Sequence, residues 1–387
     1  MGTIKNIIKA NIRQYGMLIA LISIMIFFQI VTDGILMKPL NITNLILQNS
    51  YILVLAVGML LVIVSGNIDL SVGSVAAFIG AVSALMMVTY HVPFLLAVVI
   101  SLLIGALVGA WQGFWIAYVK IPAFIVTLGG MLIFRGLTMV VLEGKSLSPF
   151  PVPFQKISSG FLPDFFGGQS LHVTTLIIGI IFSVVYVLLE LRKRNIQLKY
   201  EFEVISKKFL IGKMIAIVAV INLFLFVLAS YKGIPNVLIL LFGLIVIYTF
   251  VTDKTIAGRR VYAMGGNEKA ARLSGIKTKR VTFWVYVNMG VLAALSGLVF
   301  AARLNAATPK AGNGFELDAI AACFIGGASA TGGIGTIIGA IIGGLVMGVM
   351  NNGMSLVGLG IDWQQAIKGL VLLLAVAFDV YTKSKNA

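Results

Sequence analysis

Apolar runs of bilayer length alternate with short polar or glycine-bearing breaks along almost the whole chain. They fall at Gly16–Val31, Leu45–Val64, Val72–Tyr90, Pro93–Tyr118 and Pro122–Leu142. Others follow at Leu171–Leu189, Ile211–Ser230, Ile234–Val251 and Val281–Ala302, and the last third adds Leu317–Ala328, Thr336–Met350 and Gln365–Val380. A hydrocarbon core about 30 Å thick takes about 20 apolar residues to cross as a helix. The pattern therefore predicts an all-α, polytopic helical bundle with about 10–12 membrane segments, the shortest runs being half-spans or re-entrant pieces.

Lysine and arginine gather in the breaks: at Lys5–Arg13; at Arg192, Lys193, Arg194, Lys199, Lys207, Lys208 and Lys213; at Lys254–Arg280; and at Lys383 and Lys385. Cytoplasmic loops accumulate these residues, and the spans alternate correctly if every basic break lies on that side. Both termini and the loops at 192–213 and 253–280 are then cytoplasmic. The break Glu143–Ser170, with Pro149, Pro151, Pro153 and Pro163, is external. Within the first of these loops, IQLKYEFEVISKKF mixes charged and apolar positions, which fits either an amphipathic helix on the membrane surface or a solvated connector.

Composition agrees with a membrane protein. The 387 residues are 59% hydrophobic and 11% charged, where soluble domains carry about 25% charge. The net charge of +16 belongs to the short breaks and reads as topology, not as a nucleic-acid footprint. One cysteine, Cys323, excludes an internal disulfide, and His91 and His172 form no metal-ligand spacing with other residues. Lys5, Lys9 and Arg13 before Met17–Val31 resemble a signal peptide, but Thr32-Asp33-Gly34-Ile35 offers no small-x-small cleavage site, so an uncleaved first helix is expected.

Glycines recur every four residues at Gly105, Gly109 and Gly113 and again at Gly335, Gly339 and Gly343, followed by Gly344 and Gly348. Small residues at that spacing let helix backbones approach in lipid. The face they make serves packing within the bundle or, alternatively, a pore or dimer contact; the first is expected.

Polar groups near the ends of spans are the candidates for a solute path: Asn67, Asp69, Ser71, Asn351 and Asn352. Amides and a carboxylate suit a polar solute, yet Asp69 in SGNIDLSVGS is also helix-capping and turn chemistry. Glu316 and Asp318 open an apolar segment, where acids stabilise a helix start or dock an external partner. Arg135 lies past the middle of its span, and snorkelling to the outer headgroups is its expected role. No G-x-x-x-x-G-K-[ST] phosphate loop occurs, and no convergent catalytic set can be assembled. No metal site, bound cofactor or enzymatic activity is expected of this chain.

One basic, glycine-punctuated break stands out: GRRVYAMGGNEKAARLSGIKTKR, from Gly258 to Arg280. Ala270 and Ala271 are strong, small helix formers, Glu268 suits a helix start, and Gly275 suits a helix stop. A short helix of this kind fits a groove on a soluble partner, with Arg272 supplying a charged contact.

The segment Asn267–Ile276, NEKAARLSGI, resembles the cytoplasmic coupling loop of ABC-importer permeases, and more specifically the ribose, galactose and xylose permease family. Three further blocks in order match that family: Asp69-Leu70-Ser71-Val72-Gly73, then Glu316–Ala322 with the Gly-rich run Gly326–Gly333, then Asn351-Asn352-Gly353. The resemblance covers roughly 44–379 within a single permease domain, 1–387, and the long middle portion Leu171–Val251 is most like the xylose-type and multiple-monosaccharide members. It implies a type II ABC importer-like fold and translocation of a pentose or hexose across the cytoplasmic membrane, xylose-type first. It also implies a second permease copy, a cytoplasmic ATPase with two fused nucleotide domains that uses ATP and Mg, and an extracytoplasmic sugar-binding protein. Asn267, Glu268, Ala270, Ala271, Arg272, Leu273, Ser274 and Gly275 are then the ATPase-coupling residues. A secondary solute transporter and a membrane-embedded enzyme are the competing classes.

Overall fold

A computed structural model describes residues 12–168, 171–202, 204 and 206–384. Lys5, Lys9, Ser170 and Lys385, named above in loops and termini, lie outside the described residues. Among the described residues nine helices are long and apolar enough to cross a membrane. They are α2 (Pro39–Val64), α3 (Val72–Thr89), α4 (Phe94–Val119), α5 (Ala123–Leu142), α7 (Val173–Lys199), α8 (Lys207–Ala229), α9 (Asn236–Lys254), α12 (Thr278–Leu304) and α14 (Ile337–Leu356). Before them lies α1 (Ile12–Val31), whose apolar stretch is shorter. The rest are α6 (Val152–Ser159), α10 (Ile256–Gly266), α11 (Glu268–Leu273), α13 (Phe315–Ile325) and α15 (Ile361–Ser384). The chain is an all-α, multi-pass membrane protein.

Two runs differ from the sequence expectation. Leu317–Ala328 is not a crossing: its helix, α13, has 11 residues, about 16 Å at the helical rise. Much of the segment 192–213 is helical, its two ends belonging to the flanking helices α7 and α8. Leu, Glu, Arg, Lys and Gln are good helix formers, and α7 runs on through Arg192 and Lys193 to Lys199, with α8 beginning at Lys207. A 2.7 Å ion pair between Glu190 and Lys213 ties the two helices at that end.

Burial separates core from periphery. Of the most apolar stretch, 83% of residues are buried in α2 and 72% in α12 and α14, against 11% in α8. The central helices α2 and α12 run antiparallel, with Gly58 against Met289 and Leu292 and the Ser296 hydroxyl donating to the Tyr51 carbonyl at 3.2 Å. Lipid-facing helices are apolar all round, so packing there must come from close backbone approach. Both glycine ladders do this inside the chain. A Cβ at Gly109 would lie 2.2 Å from the Tyr286 carbonyl, and one at Gly343 would lie 1.9 Å from that of Ala322.

The segment 143–168 is folded back on the bundle. Leu147 and Ala307 exchange backbone hydrogen bonds at 3.0 Å, and Leu162 donates to the Ile234 carbonyl at 2.9 Å. Asp164 accepts from the backbone of Gly168, Val173 and Thr174 and from the Thr174 hydroxyl. Burial pushes its carboxyl up, but these hydrogen bonds prevail and hold it well below the usual carboxylate range.

Candidate functional site: a coupling helix and buried polar joints

The turn from α9 into α10 starts at Thr255, whose hydroxyl caps α10 by accepting from Gly258 N. After α10, Asn267 is extended and its Oδ1 accepts from Ala270 N at 3.0 Å, capping α11. The six-residue α11 then stops at a left-handed Gly275, φ +83°. Gly275 N donates to the Arg272 carbonyl and Ile276 N to the Ala271 carbonyl, both at 3.1 Å, which is a Schellman stop. A helix this short would not persist alone; both ends are fixed by local chemistry that the sequence carries.

Of the eight candidate coupling residues, Ala271 is buried against the body of the protein. Asn267, Glu268, Ala270, Arg272, Leu273, Ser274 and Gly275 are exposed. Leu273 is 89% exposed, an apolar side chain held at the tip of a rigid, charged turn.

Behind the helix is a joint of backbone on backbone. Gly265 lies so close to α2 that a Cβ on it would fall 1.6 Å from the Val64 carbonyl. That carbonyl accepts from Gly333 N at 2.8 Å, and Gly333, φ +74°, sits against Gly266. Tyr262 adds a hydrogen bond to the Gly335 carbonyl at 2.8 Å. The end of α10, the end of α2 and the glycine-rich turn after α13 therefore meet at one point.

The polar candidates do not form one site. Asp69 is buried, and its Oδ1 accepts from Ser71 N at 2.8 Å and from Ser71 Oγ at 2.6 Å, just before α3. Gln112 on α4, which the sequence did not single out, donates to Ser71 Oγ at 2.7 Å. Asn67 bonds locally to Ser65. Asn352 exchanges amide hydrogen bonds with Asn41 at 2.9 and 3.2 Å, joining α14 to the start of α2. The Asn351 Oδ1 is buried without a hydrogen-bond partner.

Asp318 is buried at the centre of a second cluster. Lys368 Nζ on α15 lies 3.0 Å from Asp318 Oδ1 and donates to Oδ2 at 3.2 Å. Tyr51 donates to the same Oδ2 at 3.3 Å while its ring stacks on Phe315 at 3.9 Å. Glu316, two residues earlier, is buried with Oε2 lacking any hydrogen-bond partner. Among the described residues no group of His, Cys, Asp and Glu is arranged to hold a metal ion.

A polytopic bundle with a docked, capped helix between spans and several buried polar joints defines a membrane transport component. The family model for the permease component of branched-chain amino acid transport systems matches residues 41–376, and the chain belongs to that family. It is 40% identical to the xylose transport system permease protein of Haemophilus influenzae, over 97% of this chain and 98% of that protein. Identity to the Escherichia coli K12 xylose transport system permease protein is 38%, over 100% and 96%. The ribose import permease protein of Bacillus subtilis is 34% identical over 95% and 92%. No solved structure matches the chain.

Proposed function

We propose that the chain is the membrane permease subunit of an ATP-driven importer that moves a monosaccharide, xylose-type first among pentoses and hexoses. The relatives named for xylose and ribose transport support the sugar class. In this reading two copies enclose the path, an external binding protein delivers the sugar, and a cytoplasmic ATPase with two fused nucleotide domains uses ATP and Mg. Both termini and the loops 192–213 and 253–280 face the cytoplasm, and 143–170 faces outward. Labelling of Ser274→Cys from outside by an impermeant thiol reagent would refute that orientation.

The observation that carries the mechanism is Leu273 at the tip of α11, with Gly265 and Gly266 locked to α2 and to the turn after α13. When the ATPase closes on nucleotide it displaces α11, and the close-packed glycine joint passes that displacement on without compressing, because packed interiors are stiff. The two copies then rock between outward- and inward-open states.

Three buried carboxylates, Asp69, Glu316 and Asp318, favour a second reading, because ion-coupled carriers need such groups at membrane depth. Reconstitution separates the two. Liposomes carrying the permease, its ATPase and its binding protein should take up xylose, ribose or galactose only with ATP inside the appropriate compartment. Uptake driven by a proton or sodium gradient without the ATPase would overturn the proposal.

A further inference from the structure

Arg135 stands thirteenth of twenty residues in α5. Its Nη2 donates to Asn313 Oδ1 at 3.3 Å, and the pair is exposed on the protein's surface. Arginine at membrane depth faces protein or water, not acyl chains. Asn313 belongs to the irregular segment between α12 and α13. That segment dips inward: Gly312 packs on Gly73 and Ala77 at the start of α3, and a Cβ on Gly73 would lie 2.5 Å from Glu316 Oε2. The N-termini of α3 and of the 11-residue α13 thus converge there. Irregular backbone at such depth persists only beside protein or a water-filled cavity, and transporter sites are built where discontinuous helices begin.

The Glu316 carboxyl takes backbone donors from its own residue and from Gly314, while its Oε2, lying against Gly73 and closed to solvent, has no donor. Buried acceptors are almost always satisfied. A guanidinium, an amide and an unpaired carboxylate oxygen offer donors and acceptors together. Sugar hydroxyls, each both donor and acceptor, match that set.

We propose that Arg135, Asn313 and Glu316 form a sugar-contacting station of the permeation path, distinct from the polar groups around Asp69 and Asn352. A passing monosaccharide takes the hydrogen bond that Arg135 gives to Asn313, and as the segment 305–314 parts from Gly73 it supplies a hydroxyl donor to Glu316. This rests on the monosaccharide reading above.

The test uses the assembled complex in nanodiscs, with Cys323→Ser as background. Asn313→Cys should react readily with a charged, water-soluble thiol reagent, and Leu223→Cys, 65% exposed on α8 and facing lipid, should not. Xylose, ribose or galactose at high concentration should slow labelling of Asn313→Cys, and an equally concentrated non-sugar osmolyte should leave it unchanged. In uptake, Arg135→Met should lower the maximal rate about ten- to a hundredfold, the value of one or two hydrogen bonds to a charge. The sugar concentration for half-maximal uptake, set by the binding protein, and ATPase association should stay unchanged, and Arg135→Lys should recover part of the rate.

Asn313→Cys as unreactive as Leu223→Cys, or labelling that no sugar slows in a complex that transports sugar, would overturn the station alone. A wild-type complex that hydrolyses ATP and moves none of the three sugars would overturn the monosaccharide reading and the station with it.

Discussion

Gly265→Ala adds one methyl group at the joint behind the coupling helix. The new Cβ would fall 1.6 Å from the Val64 carbonyl oxygen and 2.8 Å from Gly333 N. Both neighbours are backbone, so no side-chain rotamer can relieve the clash. Either α10 withdraws from α2, or the 2.8 Å hydrogen bond from Gly333 to Val64 opens. Overpacking and one weakened buried hydrogen bond together cost about 2–4 kcal/mol. The neighbouring Gly266 has open space where its Cβ would go, and Gly266→Ala is the matched control. Thermal unfolding of the detergent-solubilised chain should show a clearly lowered transition for Gly265→Ala and an almost unchanged one for Gly266→Ala. Sugar-stimulated ATP hydrolysis by the assembled complex should fall in the same order. If the two variants unfold alike and couple alike, the joint does not transmit motion and the packing argument is wrong.

Asn41→Leu strands the buried Asn352 amide and removes the donor to the Leu36 carbonyl, so it should cost about 1–3 kcal/mol and more than Asn352→Leu, which leaves Asn41 its bond to Leu36; the double substitution recovers part of the pairwise loss, which thermal unfolding of the four-member cycle checks. Lys368→Met removes the cation beside buried Asp318 and should destabilise by about 3–5 kcal/mol, and adding Asp318→Asn should restore most of the loss in the same assay. Because the folded-state carboxyl of Asp164 is depressed, its contribution is present above the ordinary carboxylate range, about pH 4, and is lost as pH falls toward its folded value. Acid unfolding monitored from pH 5 downward should therefore show a steeper loss in the wild-type chain than in Asp164→Asn.

The features legible in the sequence are the ones whose causes are local. Asn267 and Gly275 cap and stop α11 through their own side-chain and backbone chemistry, so NEKAARLSGI announces a short helix before any fold is known. The glycine ladders announce close packing by their period alone. The rest depends on partners distant in the chain. Asn352 reads as a polar residue at a span end, but its amide is taken by Asn41, 311 positions away. Whether Leu317–Ala328 crosses the bilayer or stops halfway is decided by the turn after α13 packing on Val64 and Gly265. Charge density at Arg192–Lys199 suggested a loop because hydropathy and helix propensity point opposite ways for Lys and Arg. Position within its span gives Arg135 no partner but the headgroups, whereas its hydrogen bond goes to Asn313, 178 positions away. Lys368, a single cation inside the apolar run Gln365–Val380, did carry a signal: a charge there needs a buried partner, and Asp318 is that partner.

We propose α11 as the contact through which an ATPase drives this permease. The most direct measurement is retention of the purified ATPase on immobilised permease carrying Leu273→Asp, whose side chain touches little else in the chain. Loss of an apolar anchor and burial of a carboxylate should weaken binding at least about tenfold, while thermal unfolding of the permease alone stays unchanged. Equal retention by Leu273→Asp and the unaltered chain would contradict the claim.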